Sequence, residues 1–109
     1  MIRIGIICRD TAQIEKITNL IYNYTHMPPR RHTRDLTEWQ FPLLSIEIKL
    51  PFSVRGCRYD IGFYDESIDE DIVYDVIYPC CFCYGAGKPR PLKEFLWRFP
   101  EWKNMITDA

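Results

Sequence analysis

The sequence predicts a single α+β domain in which a sheet of about four strands carries two helices on one face, in the order β-α-β-β-β-α. Three observations carry that expectation. A β-branched run, "IRIGIIC" at 2–8, opens the chain; "TAQIEKITNLIYNYT" at 11–25 follows it with apolar residues three and four apart; and "LLSIEIKL" at 43–50 alternates apolar with polar positions. A strand period and a helix period in adjacent segments imply a helix docked on a sheet.

Taken in order, residues 2–8 form a buried strand that the polar pair Arg9 and Asp10 ends, and Asp10 or Thr11 caps the next element. In that first helix Ile14, Ile17, Ile21 and Tyr24 share a face, with Leu20 beside them. The segment 26–41, which begins "HMPPRRHTR", breaks both periods: consecutive prolines stop a helix, and no alternation follows. It reads as a long loop, and a long loop in a compact domain is a candidate contact surface. Leu44, Ile46, Ile48 and Leu50 then point one way along a half-exposed strand, while Ser45, Glu47 and Lys49 point the other. Gly56 marks a turn, and Tyr59, Ile61 and Phe63 fall on one face of a hairpin or neighbouring strand. The Val, Ile and Tyr content of "DIVYDVIY" at 71–78 favours a strand ended by Pro79. From Pro91, "PLKEFLWRF" places Leu92, Phe95, Leu96 and Phe99 at helical spacing, up to an interruption at Pro100.

The chain has 109 residues, 47% hydrophobic and 15% aromatic, enough apolar surface for one packed core and far from the composition of a disordered chain. Its formal charge of -1 excludes a generally basic nucleic-acid binder, since phosphate contacts require an excess of Lys and Arg on one face. The charges are segregated. Asp65, Glu66, Asp69, Glu70, Asp71 and Asp75 occur without an intervening cation, whereas Arg30, Arg31 and Arg34 cluster in the 26–41 segment. The opening "MIRIGIICRD" has too short an apolar run for a secretory signal, and no stretch approaches the roughly eighteen apolar residues of a membrane span, so a cytoplasmic protein with no membrane association is expected. Five cysteines in that compartment read as reduced thiols.

The stretch "CCFCYGAGKPRPLKEF" at 80–95 admits three chemistries. As a phosphate loop it lacks the first glycine, because Phe82 stands five residues before Gly87, and Pro89 follows Lys88 where a hydroxyl is needed; Gly85 and Gly87 read as turn residues. As a metal site it lacks paired Cys-x2-Cys knuckles, and Cys81 and Cys83 would need Cys57, His26 or His32 to complete a tetrahedral set. Core cysteines behave as small hydrophobes, so no metal and no cofactor are expected. The third chemistry comes from a resemblance. "MIRIGIICRD" resembles the first strand of response-regulator receiver domains, "YDIGFYDESID" resembles their third strand, and "AGKPRPLKEFLWRF" resembles their ending, a Lys-Pro that leads into the last helix. The resemblance implies a reduced receiver-like fold, with Asp65 as phosphoacceptor, Asp10 as one of two magnesium-binding acids and Lys88 as the lysine that pairs with the phosphoryl oxygens. Arg9 stands where the family has the other acid, and the interval from Asp65 to Lys88 leaves no room for about two elements of the family's repeat.

No Ser-His-Asp or Cys-His set accompanies these residues, so no enzymatic centre is expected. A dense carboxylate run with Tyr59, Tyr64, Tyr74 and Tyr78 nearby can mimic nucleic-acid phosphates and occupy a basic groove on another protein. In style, a short single domain without a catalytic motif is similar to small phage-borne inhibitors of host defence nucleases. The expected function is therefore a non-enzymatic protein-binding module, an inhibitor or regulator. Its candidate contacts are Asp65, Glu66, Asp69, Glu70, Asp71, Asp75 and Tyr64 on the acidic side, with Arg30, Arg31, Arg34 and the anchor Trp39 in the 26–41 loop.

Overall fold

The computed structural model describes residues 2–81 and 88–102. The chain runs β1 (Ile2–Ile7), α1 (Thr11–Thr25), β2 (Arg31–His32), β3 (Leu36–Gln40), β4 (Leu44–Lys49), a 3-10 turn at Pro51–Val54 and β5 (Ile61–Tyr64). A helical segment follows, built of α2 (Glu70–Ile72), a π turn at Val73–Ile77 and α3 (Tyr78–Cys81). After residues 82–87 come β6 (Arg90–Pro91), α4 (Leu92–Arg98) and a 3-10 turn at Phe99–Trp102. The strands make one six-stranded mixed sheet in the order β2-β3-β4-β1-β5-β6. β1 is parallel to β4 and β5, β5 is parallel to β6, and β3 is antiparallel to both β2 and β4. The radius of gyration, 12.9 Å, is that of one packed domain of this length, about 13 Å.

The alternation along β1 divides the molecule into two cores. Ile4, Ile6 and Cys8 join Ile14, Ile17 and Ile21 of α1, Leu44, Ile46 and Ile48 of β4, Phe63, and Leu92, Phe95 and Phe99 of the C-terminal helix. Each fully buried Ile or Phe contributes about 1.5–3 kcal/mol of transfer free energy before chain entropy is set against it. Ile7 faces the opposite way, into Val54, Tyr59, Ile68, Val73, Val76, Ile77, Cys80 and Cys81. Two helices thus share one face, as the sequence predicts, and the helical segment 70–81 covers the other.

Three expectations are corrected. The sheet has six strands where about four were expected, because the 26–41 segment is not a loop: β2 and β3 extend the sheet from β4. Their attachment is polar rather than periodic. Buried Thr37 shares a hydrogen bond with Thr18 of α1 at 2.9 Å and another with His32 Nδ1 at 2.9 Å, and His32 Nε2 meets Glu15 at 3.2 Å. Secondly, residues 71–78 are helical. Their buried positions Val73, Val76, Ile77 and Cys80 follow the 3.6-residue period, and Asp69 accepts from the backbone of Asp71 as an N-cap. Pro79 does not end the segment. It has no N–H to donate to the carbonyl four residues back, and the chain widens just before it, with the Tyr78 N–H reaching the carbonyl of Val73. Thirdly, Tyr59 and Phe63 do not share a face. The Asp60 carboxylate accepts from the backbone of Arg3 at 2.8 Å and turns the chain, which sends Tyr59 into the second core and Phe63 into the first. Beyond Pro79, Cys80 and Cys81 are successive helical residues, both buried.

Gly5 and Gly62 are cross-strand partners on the second face. A Cβ on Gly5 would lie 2.5 Å from Tyr59 Cδ2, and one on Gly62 would overlap the sulfur of Cys81. The missing side chains admit the Tyr59 ring and α3 against the sheet. Gly5→Ala and Gly62→Ala are each expected to lower stability by about 1–3 kcal/mol through overpacking, read as a lower urea midpoint. Combining Gly62→Ala with Cys81→Ala should cost less than the two single changes summed; additive costs would show that the two positions do not touch.

Candidate functional site

The connections out of β1 and β5 leave in opposite directions, α1 to the first face and the 70–81 segment to the second. In a parallel sheet such a divergence opens a crevice at the C-terminal strand ends, where helix termini and loop side chains converge. Here it collects Arg9, Asp10 and Gln13 from one side, Asp65, Glu66 and Ser67 from the other, and Lys93 from α4.

Asp65 is the centre of that crevice, its side chain only 14% exposed. One carboxylate oxygen accepts from the Ser67 backbone N–H at 2.8 Å and from the Ser67 hydroxyl at 2.5 Å. The other accepts from Gln13 Nε2 and from Arg9 Nη1 at 3.2 Å. Burial pushes its carboxyl up, but the Ser67 and Gln13 hydrogen bonds and the Arg9 guanidinium outweigh it and hold Asp65 below the usual carboxylate range. The Asp65 backbone continues the arrangement, its N–H bonding to Ile7 O at 3.1 Å and its carbonyl receiving Ile68 N–H at 3.1 Å. Asp65 therefore ties the end of β5 to the end of β1 and to α1. Asp10 lies beside it, capping α1 through the Gln13 N–H at 2.8 Å and meeting Arg9 Nε at 3.4 Å. Beneath them Cys8 is fully buried, and burial followed by the fields of Asp65 and Asp10 pushes its thiol up to about 12, so it stays protonated and inert.

Lys88 is not in this crevice. It is exposed, two residues ahead of Arg90, whose register partner is Phe63, and the intervening Pro89 packs near Gly62 in the first half of β5. Among the described residues, Lys93 is the lysine that lines the crevice, 3.5 Å from Glu66.

The acidic residues divide by role. Asp65 and Glu66 are engaged in ion pairs, while Asp69, Glu70, Asp71 and Asp75 are exposed and pair with no cation among the described residues. Their placement has a local reason: Asp69 caps the helical segment, and Glu70 and Asp71 occupy its first turn, where the unpaired N–H groups favour negative charge. Three tyrosines adjoin this rim. Tyr74 is 54% exposed and packs against Tyr78 with ring centroids 4.9 Å apart, and half-buried Tyr64 stands at the end of β5. Tyr59 is buried instead, donating its hydroxyl to Glu47 at 2.7 Å.

The arginine group lies elsewhere. Arg31 is in edge strand β2 and Arg30 just before it, four strand positions from β5, on the order of 19 Å away. Arg30 donates to Gln40, and Arg31 and Arg34 are exposed. Trp39 is not a surface anchor: it is 1% exposed, in the first core, with its indole N–H donating to Met27 O at 2.9 Å. Trp97, in contrast, is 82% exposed, on the outer side of α4.

Of the residues considered for a metal, those described have other partners. His26 closes α1 in the left-handed conformation, His32 joins Thr37 and Glu15, Cys57 accepts from Lys49 Nζ at 3.3 Å, and Cys80 donates to Val54 O at 2.9 Å. Among the described residues no group of three or more His, Cys, Asp or Glu side chains is placed to hold an ion; Cys83, Gly85 and Gly87 lie outside the described residues. Among those residues, too, no helix is long and apolar enough to cross a membrane.

Sequence reasoning missed Gln13, Lys93 and the pairing of Tyr74 with Tyr78. The last was legible as a four-residue spacing once the segment is read as a helix. No family model matches this chain, and neither a curated protein nor a solved structure is significantly similar to it.

Asp65→Asn puts an amide where the carboxylate receives Arg9 and Gln13, and is expected to cost about 1–3 kcal/mol at pH 7. A carboxyl held below its unfolded value near 4 contributes stability that is fully present above that pH and disappears as pH falls through the folded value. The urea-stability gap between the two proteins should therefore be widest near neutrality and close below about pH 4. A gap that does not narrow on acidification would assign Asp65 a charge-independent role.

Proposed function

We propose that this protein is a non-enzymatic protein-binding module, an inhibitor or regulator, whose contact surface is the acidic start of the 70–81 segment. One observation carries the reading: Asp69, Glu70, Asp71 and Asp75 are exposed and unneutralised among the described residues on a well-packed helical segment, beside exposed Tyr74. Carboxylates fixed on a rigid support present a preorganised negative field, which steers a basic surface into contact and costs little ordering on binding. A partner with a basic groove of the kind that holds nucleic acid fits that field, and the same field opposes direct nucleic-acid binding. Arg30, Arg31 and Arg34 form a separate positive region at the far edge of the sheet, so the reading rests on the acidic side alone.

Neutralising Asp69→Asn, Asp71→Asn and Asp75→Asn together keeps the N-cap acceptor, since Asn caps as Asp does. Capture of the partner from host lysate on the immobilised protein is expected to fall at least about tenfold for this variant at low salt, and for the unmodified protein between 0.05 and 0.5 M salt, as screening shortens the reach of the field. Heparin should release what is captured. A partner retained equally by the neutralised variant would remove the acidic surface from the reading.

A receiver-like signalling domain phosphorylated on Asp65 is the second reading. Its support is that Asp65 and Asp10 follow adjacent parallel strands at one crevice, in a sheet whose parallel part has the order β4-β1-β5-β6. Against it stand Arg9 between the two acids, four donors already on the Asp65 carboxylate, and Lys88 at the other end of β5. With acetyl phosphate and magnesium, intact mass is expected to show no phosphoryl adduct; a stoichiometric adduct absent from Asp65→Asn would put this reading first.

A further inference from the structure

Beside the acidic rim a cavity of about 310 Å³ opens between the end of β5 and the 70–81 segment. Its walls are the rings of Tyr64, Tyr74 and Tyr78 and the carboxylates of Glu66 and Glu70, over a floor of Ile68 and Val73. We propose that this cavity receives the side chain of an arginine from the partner protein, with the guanidinium lying against the tyrosine rings and donating to Glu70 and Glu66.

This rests on the reading of the acidic rim as a protein-contact surface and names what that surface grips. Three features single out the occupant. Aromatic faces attract a cation through the ring quadrupole, and a planar guanidinium can stack on a ring while its edge remains free to donate. Acceptors are available: none of the three tyrosine hydroxyls has a hydrogen-bond partner among the described residues, Glu70 is unpaired there, and Glu66 holds only the exposed Lys93, a surface pair that yields readily. Five N–H donors in a fixed fork match several acceptors spread around a cavity better than the three donors of an ammonium group. The walls are also held in place. The Tyr74 and Tyr78 rings contact each other, and the π turn that relieves Pro79 fixes the backbone between them. Tyr64 titrates above its ordinary range, pushed up first by burial and then by Tyr78, Tyr74, Glu66 and Glu70, and the Glu66 and Glu70 contributions are fields that a cation in the cavity would meet favourably.

The test needs no knowledge of the partner. Nα-acetylarginine amide, its isosteric uncharged citrulline analogue and Nα-acetyllysine amide are titrated into the intact protein while the tyrosine ring proton resonances are followed. Arginine amide is expected to shift the Tyr64, Tyr74 and Tyr78 rings saturably, lysine amide to bind at least about threefold more weakly, and citrulline amide to leave the rings unmoved. Tyr74→Ala and Glu70→Gln alter exposed residues, and each should weaken arginine binding at least about fivefold with an unchanged far-ultraviolet circular dichroism spectrum. Equal responses to arginine and citrulline, a lysine response equal to or stronger than arginine's, or no response at all would each overturn the proposal. Failure here is separable from failure of the surface reading. The Asp69, Asp71 and Asp75 triple variant leaves every wall of the cavity intact, so it can lose the partner while the titration stays silent, or keep the partner while arginine binds.

Discussion

Everything in this molecule hangs on a single strand being buried from both sides. β1 presents Ile4, Ile6 and Cys8 to one core and Ile7 to the other, and Gly5 beside Gly62 leaves the second face flat enough for the Tyr59 ring and α3 to approach. Close packing leaves little tolerance there, since a side chain added at either glycine would push against the Tyr59 ring or the Cys81 sulfur. The same strand leads directly into Arg9 at the crevice, so the position of the hydrogen bonds that hold Asp65 is a consequence of how β1 is packed. The acidic helical start is held to the second core by Ile68, Val73, Val76 and Ile77, and the Asp65 hydrogen bonds fix the loop leading into it.

The carboxylates of the acidic run, uniform in sequence, do different work in space. Asp65 is consumed in building the turn, Asp69 begins a helix, and Glu70, Asp71 and Asp75 stay in solvent. Surface charges on a mobile loop would screen and rearrange, whereas charges on a segment with a buried apolar face keep their spacing. In the contact proposed above, selectivity would come from the neighbouring aromatic surface, because a field attracts any cation but a shaped wall selects among them.

Much of the architecture was legible where one periodicity dominates. Ile14, Ile17 and Ile21 announce α1, and Leu44, Ile46 and Ile48 announce β4, because each element has one buried face and one exposed face. The failures share a physical origin. β-propensity in "DIVYDVIY" conflicted with a 3.6-residue burial pattern and an N-cap at Asp69, and tertiary packing decided in favour of the helix. β2 and β3 are fastened by Thr18, Thr37, His32 and Glu15, a polar linkage that leaves no hydrophobic period to detect. Trp39 belongs to that misreading: once its segment is a strand, an apparent surface anchor becomes core. At the site, the acidic run and Tyr64 were legible as composition, but Gln13 and Lys93 are brought in by topology from elements far apart in the chain.

The borders of the sheet have a consequence of their own. Both terminal strands, β2 and β6, are two residues long; Pro28 and Pro29 precede the first, and Pro89 and Pro91 adjoin and end the second. A proline offers no backbone donor, and a border this brief gives an incoming chain almost nothing to zip against. Among the described residues, the sheet of a chain so rich in isoleucine and aromatic residues thus ends in borders that give edge-to-edge pairing little to build on.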